Sequence, residues 1–331
     1  MNRAATAFLV GVVAGTSALC AQAPGLQRLS AELERLAGEA QGVVGVGALH
    51  LESGREVYLH GDESFPMASS YKVPIAVQLL RRVDRGEILF DDMIELTPGD
   101  LHPGSGTLSA LFDDPGVILS LRNLLELMLL ISDNSATDLC LRAAGGGAAV
   151  TALMAELDLG NIRVDRPTEL LIADYIGIED LGPEKERTRA GFDELAAKLS
   201  EGERAAARST FDADVRDTAT PVAMTALLTR LWRGELLSSE STTLLIDILG
   251  RVSTGRRRLR GFLTDDADVA HKTGTIGGTT NDVGVITLPN GAGRVVTVVF
   301  VKESELEVAA RETAIAHIAR AIHDYFLFVS D

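Results

Sequence analysis

The feature that most restricts the fold of this chain is where its hydrophobic period changes. Near the N-terminus, "VVGVGALHLESGREVYLHG" (43–61) holds two short β-rich runs around the turn signal "ESGR", which predicts a hairpin. From Ser69 to about residue 250 the period becomes helical, in runs such as "VPIAVQLLRRVDRG", "LSLRNLLELMLLISDN" and "PVAMTALLTRLWRG". It then reverts: "VAHKTGT", "NDVGVITLP" and "RVVTVVFVK" read as strands, with "PNGAG" turning the last two into a hairpin. Strands at both ends with helices between them combine most simply into one sheet built from both termini. The expected fold class is α/β: an antiparallel sheet flanked by N- and C-terminal helices, plus an inserted all-α lobe. Leu26, Leu29, Leu33 and Leu36 share a face of the first helix, as do Ile315, Ile318, Ile322 and Phe326 of the last. The boundaries that follow are 24–66 with 252–331 for the α/β lobe and 67–251 for the helical lobe.

A chain of 331 residues is long enough for two lobes that share a core. Its 46% apolar and 24% charged residues are the balance of an ordinary globular protein. The net charge of -16 argues against a nucleic-acid partner, and the basic run "GRRRLRG" (255–261) is too short for a binding stripe. The N-terminus, "MNRAATAFLVGVVAGTSALCAQAPG", joins a positive start at Arg3, an apolar stretch over 4–19 and small residues suited to cleavage. Residues 1–21 therefore read as a signal peptide, giving an exported, periplasmic or secreted protein without a membrane span once the signal is removed. Ser17, Ala18 and Leu19 match a lipobox poorly, which disfavours a lipid anchor on Cys20. Removal of the signal leaves Cys140 as the last thiol, so no internal disulfide can form and packing must hold the fold. The six histidines show no H-x-H or H-x-x-x-H spacing, and no glycine-rich phosphate loop follows a strand; neither metal nor cofactor is expected. A monomer is expected.

Three short elements concentrate reactive side chains. Ser69-Ser70-Tyr71-Lys72 opens a helical run, which puts Ser69 and Lys72 on one face. Ser132-Asp133-Asn134 directly follows the apolar "LLELMLLI", and Lys272-Thr273-Gly274-Thr275 lies on a strand. Each element alone is weak; the three in this order, in these contexts, form a mechanistically coupled set. A serine hydroxyl needs a base to take its proton during attack. Lys72 can be that base if it is partly neutral, and burial beside a second cation, Lys272, would push its pKa down.

This set, with "DTATP" (217–221) and "GTTNDVGVI" after the K-T-G, resembles the serine penicillin-recognising enzymes, most closely the class A β-lactamases, over essentially the whole mature chain. The resemblance implies an acyl-enzyme on Ser69 formed from a small-molecule β-lactam or a peptidoglycan-like substrate. It makes Ser132 a proton relay to the leaving nitrogen and gives an oxyanion hole to the Ser69 and Thr275 amides. Asn134 would bind the acylamide, and Lys272, Thr273, Gly274 and Thr275 the substrate carboxylate along the strand edge. Arg260 matches a position where some members supply a carboxylate-binding arginine. His271 should point to the opposite face and be structural.

One segment departs from the pattern. The family resolves its acyl-enzyme with a glutamate on the Ω-loop, in Arg-x-Glu-Pro-x-x-Asn, whereas this chain reads "VDRPTELLIADY". Arg166 fits the loop-anchoring arginine, with Asp217 its expected partner. Thr168 occupies the glutamate's place, and Glu169, one residue late, is either the catalytic base or a surface glutamate. The loop, about 165–217, is several tens of residues longer than usual, and "EKERTRAGFDELAAKLSEGERAAARS" (184–209) reads as added helix. The leading expectation is a serine β-lactamase; a D-alanyl-D-alanine peptidase and a β-lactam-trapping sensor on the same scaffold are the alternatives.

Overall fold

The computed structural model describes residues 24–112 and 116–328; the expected signal peptide, with Cys20, lies outside the described residues. The chain opens with α1 (Pro24–Ala37), then β1 (Val43–His50), β2 (Glu56–Leu59) and the short β3 (Phe65–Pro66). Next come α2 (Lys72–Asp84), β4 (Met93–Glu95), α3 (Leu108–Leu111), β5 (Ile118–Ser120), α4 (Leu121–Leu130), α5 (Asn134–Ala143) and α6 (Gly147–Glu156). The long loop holds α7 (Thr168–Ile176), α8 (Arg189–Lys198) and α9 (Glu201–Asp212). Then follow β6 (Thr218–Ala219), α10 (Pro221–Trp232), α11 (Ser239–Gly250), β7 (Asp268–Ile276), β8 (Thr279–Thr287), β9 (Arg294–Lys302) and α12 (Val308–Phe328).

The main sheet runs β2-β1-β9-β8-β7, with every neighbouring pair antiparallel. It joins the two chain ends, as the change of period requires. Alternation along β9 shows how both faces are used: Val295, Val299 and Val301 enter one core, and Val296, Val298 and Phe300 the other. The first core is closed by α1 and α12, where the leucine and isoleucine faces are buried. The second continues from the sheet into α2, α4, α5 and α10, so the helical region shares a core with the sheet.

Two details bear on the site. The two-residue ribbon β3–β6 pairs Phe65 with Ala219 and Pro66 with Thr218, tying the approach to Ser69 to the end of the long loop. And where the sequence suggests one added helix, two form. Ser200 Oγ accepts from the Glu203 amide, and the Glu203 carboxylate accepts from the Ser200 amide at 2.8 Å, so a capping box stops α8 and starts α9. The long loop also has a small core of its own around Ala173, Ile178 and Phe192.

Candidate active site

Ser69 lies in a 3-10 turn, Ala68–Tyr71, that runs directly into α2. Ala68 before it has φ 45°, a left-handed conformation costly for a residue with a Cβ. The turn is held from both sides. Met67 N donates to Asp217 O at 3.0 Å, Ser70 Oγ donates to Met67 O at 2.7 Å, and Asn281 Nδ2 donates to the carbonyls of Pro66 and Met67. Strand β7 passes so close that a Cβ on Gly274 would lie 3.1 Å from Ser69 N and 3.0 Å from Ser70 N. Only glycine lets the strand edge meet the nucleophile turn there, which accounts physically for the third residue of K-T-G.

The three motifs converge on one hydroxyl. Lys72 Nζ donates to Ser132 Oγ at 3.0 Å, and Lys272 Nζ donates to the same oxygen at 3.0 Å. Lys72 also donates to Ser132 O and Asn134 Oδ1, and Lys272 to Thr273 O. Both lysines are fully buried. Burial pushes the Lys72 amine down to about 7, against the pull of Asp138 and Asp133. Burial first, and Lys72 second, hold Lys272 well below the ordinary lysine range. With two nitrogens donating to its oxygen, the Ser132 hydroxyl has its own proton free to give elsewhere.

The S-D-N corner is rigid. Ser132 has φ 60°, and Asp133 caps α5 through Ala136 N while its other oxygen accepts from Thr107 N and Leu108 N. Asn134 Nδ2 donates to Pro103 O. Ser105, which the sequence reading did not single out, donates to Ser132 O at 2.8 Å and Asn134 Oδ1 at 3.2 Å, the same acceptors that Lys72 uses. Its flanking glycines carry the missed signal: a Cβ on Gly104 would strike Asn134, and one on Gly106 would strike Asp133.

The other expected residues divide. Thr273 Oγ1 is 2.7 Å from Thr254 Oγ1, and Thr275 is exposed at the strand edge. His271 is buried, with Nδ1 2.8 Å from Asp282, in keeping with a structural role. Arg260 requires correction. Its Nη2 donates to the carbonyls of Gly250 and Val269, toward the start of β7 and away from Thr275. Arg258 stands where Arg260 was expected: Nη2 donates to Thr275 Oγ1 at 2.6 Å, Nη1 to Gly274 O and Asn281 O, and Nε to Glu312. In so compact a run, a shift of two positions moves a side chain to the other end of the strand.

Glu169 is not a surface residue. It is buried, Oε2 accepts from Arg187 Nη1 at 3.1 Å, and Oε1 is 3.7 Å from His102 Nδ1. Asp138 grips the start of α7 through Thr168 N at 2.6 Å and Glu169 N at 3.1 Å, and Thr168 Oγ1 lies 2.6 Å from the Tyr71 hydroxyl. Because Asp138 fixes both backbone amides, the Thr168 side chain faces Tyr71 and that of Glu169 turns into the enlarged loop. Arg166 pairs with Asp217, as expected, and also with Asp174 and Asp214.

A sheet drawn from both chain ends, an inserted helical region and two buried lysines on one serine hydroxyl place the molecule among the serine penicillin-recognising enzymes. The model of the beta-lactamase enzyme family matches residues 28–326, and the chain belongs to that family, on its class A branch. It is 29% identical over 307 residues to beta-lactamase VEB-1 of Pseudomonas aeruginosa, covering 90% of each chain. Among solved structures it is similar to a beta-lactamase from Chitinophaga pinensis, with TM-score 0.72 and 30% identity over 90% of this chain and 98% of that one. An ancestral class A beta-lactamase gives TM-score 0.71 and 34% identity over 89% and 98% of the two chains.

Proposed function

We propose that the protein is an exported, monomeric serine β-lactamase that opens the ring through an acyl-enzyme on Ser69. The observation that carries this reading is the pair of buried lysine amines, each 3.0 Å from Ser132 Oγ, beside the Ser69 turn. With its pKa near 7, a substantial share of Lys72 is neutral at neutral pH. The neutral amine takes the Ser69 proton as Oγ attacks the lactam carbonyl. The resulting ammonium returns a proton through Ser132 to the departing nitrogen, so acylation ends with Lys72 neutral again. The amides of Ser69 and Thr275 hold the oxyanion; loss of one such donor typically costs about 10²–10³ in rate. Arg258 gives the strand edge its positive charge for the substrate carboxylate, with Lys272, Thr273, Gly274 and Thr275 lining it, and Asn134 receives the acylamide.

Deacylation follows the same path with water in place of serine. Glu169 is held by Arg187, and Thr168 offers a hydroxyl already bonded to Tyr71, so the Lys72 amine regenerated by acylation is the base that activates water. No helix among the described residues is long and apolar enough to cross a membrane. The test is intact-mass spectrometry after mixing with benzylpenicillin. The wild-type chain should gain one penicilloyl group that decays as product forms. Ser69→Ala should gain none and lose about 10⁶-fold in turnover, with an unchanged circular-dichroism spectrum. Labelling that survives the substitution would place the nucleophile elsewhere.

A further inference from the structure

The enlarged loop lines an open cavity of about 660 Å³, within the size range of small-molecule sites. Its walls come from α7, α8, α9 and the turns after them, and five apolar side chains line it: Ile178 and Phe211, both buried, with Leu195, Leu199 and Ala207 half-buried. Its charge is one-sided, with five lining carboxylates (Asp174, Glu179, Asp180, Glu203 and Asp214) against Lys198 and Arg216. Arg216 is already paired with Asp174 and Asp214. Glu179, Asp180 and Glu203 therefore face Lys198 alone as lining countercharge. Apolar walls that carry an excess of carboxylates favour an amphiphile whose head is positive; an anionic β-lactam is the wrong sign for them.

The walls are wired to the catalytic turn. Asp174 and Asp214 both bind Arg166 Nη1, at 2.5 and 3.1 Å, and Arg166 Nε binds Asp217 at 2.6 Å. The Asp217 carbonyl in turn accepts from Met67 N, two residues before Ser69. Phe211 lies beneath the Arg166 guanidinium at 5.5 Å and edge-on to Tyr175 at 5.4 Å. The Tyr175 hydroxyl packs on Gly277, at the end of the strand that carries Thr275. A ligand that displaces Phe211 or competes for Asp174 thus changes supports on both sides of Ser69.

We propose that this cavity binds a small organic cation with an apolar body, and that its occupancy alters the reactivity of Ser69 through Arg166, Asp217 and Tyr175. The coupling rests on the acyl-enzyme reading, whereas the binding does not.

The probe is 4-phenylbutylammonium, with 4-phenylbutanol as its uncharged counterpart, titrated calorimetrically into the mature protein without a β-lactam. The ammonium should bind saturably at one site per chain, and the alcohol at least fivefold more weakly. Ala206→Trp fills the mouth from an exposed position on α9 and should abolish binding while leaving penicillin turnover unchanged; Glu179→Gln should weaken binding severalfold. The rate of Ser69 labelling by benzylpenicillin should change at least twofold, saturating at the concentration that fills the site. Absence of binding, or equal binding by Ala206→Trp, overturns the site. Binding with an unaltered labelling rate overturns the coupling. A chain that penicillin never labels refutes the acyl-enzyme reading, while the calorimetric titration still decides whether the site exists.

Discussion

Two groups of buried charge border the candidate cleft, and the chain treats them in opposite ways. Lys72 and Lys272 are fully buried, and the hydrogen bonds of both amines go to uncharged oxygens of Ser132, Asn134 and Thr273. Arg166 is buried too, but three carboxylates meet it. A cation taken out of water without a carboxylate on it loses much of its hold on its proton, whereas one that is neutralised keeps its charge and serves as an anchor. The contrast separates chemistry from architecture more sharply than burial does. Glu169, matched with Arg187, falls on the architectural side despite its acidic side chain and its place beside Thr168.

Lys72→Arg tests this division hardest. Arginine keeps the charge and much of the length but does not release its proton, so acylation should fall by about 10²–10⁴-fold. In the wild-type chain the labelling rate should climb about tenfold per pH unit below about 7 and level off above it, because the neutral amine is the competent form. The same depression has a stability consequence of fixed sign. Between about 7 and 10.5 the unfolded chain keeps a proton on Lys72 that the native state has released, so this residue's contribution to stability rises with pH across that window. A labelling rate that stays flat from pH 5.5 to 8.5 would remove Lys72 as the base.

Arg258 and Arg260, two of the four arginines of "RRRLRG", should separate next. Arg258→Ala takes away the guanidinium that holds Thr275 Oγ1 and Gly274 O, and KM for benzylpenicillin should rise about 10–100-fold, the worth of a hydrogen bond to a charged group. Arg260→Ala should leave KM alone and lower the melting temperature instead, since its partners are the Gly250 and Val269 carbonyls. Equal kinetic losses in both variants would show that Arg258 has no special hold on the substrate carboxylate.

A smaller change should come from the loop. Glu169→Gln should leave turnover within about threefold, because a residue held by Arg187 supplies packing and charge balance. Thr168→Glu places a carboxylate beside Tyr71, where the resemblance expects the deacylating group, and should shorten the acyl-enzyme lifetime about tenfold. Collapse of turnover in Glu169→Gln would mean that the Arg187 pair opens during the reaction and that the division by pairing fails at this residue.

What could be read in the sequence follows from the range over which each signal acts. The sheet and its helices were legible because period is local: β9 alternates Val295, Val299 and Val301 against Val296, Val298 and Phe300, and α12 repeats its isoleucines. The lysine–serine set was legible because each motif needs its neighbours in fixed order. Arg258, Ser105 and the orientation of Glu169 were not, since each depends on partners distant in the chain. Arg258 is set by Thr275 and Asn281, Ser105 by Asn134, and Glu169 by Asp138 gripping two successive amides. The break within the added helix is hidden for a local reason: both halves are good helix formers, and the capping box at Ser200 and Glu203 is a faint mark between them.

That capping box sets the mildest test of the contrast. Ser200→Ala removes the oxygen that accepts from Glu203 N, and Glu203 loses its hydrogen bond to the Ser200 hydroxyl. The expected cost is about 1 kcal/mol, confined to the start of α9. Because the long loop has its own small core around Phe192, the loss should appear as faster amide exchange over residues 196–206, with the main transition little moved. Penicillin turnover should stay the same, since the lysine amines and Ser132 are reached through other contacts. Faster exchange spreading to the Ser69 turn would show that the loop and the cleft unfold as one unit, and the two regions would then differ in chemistry but not in stability.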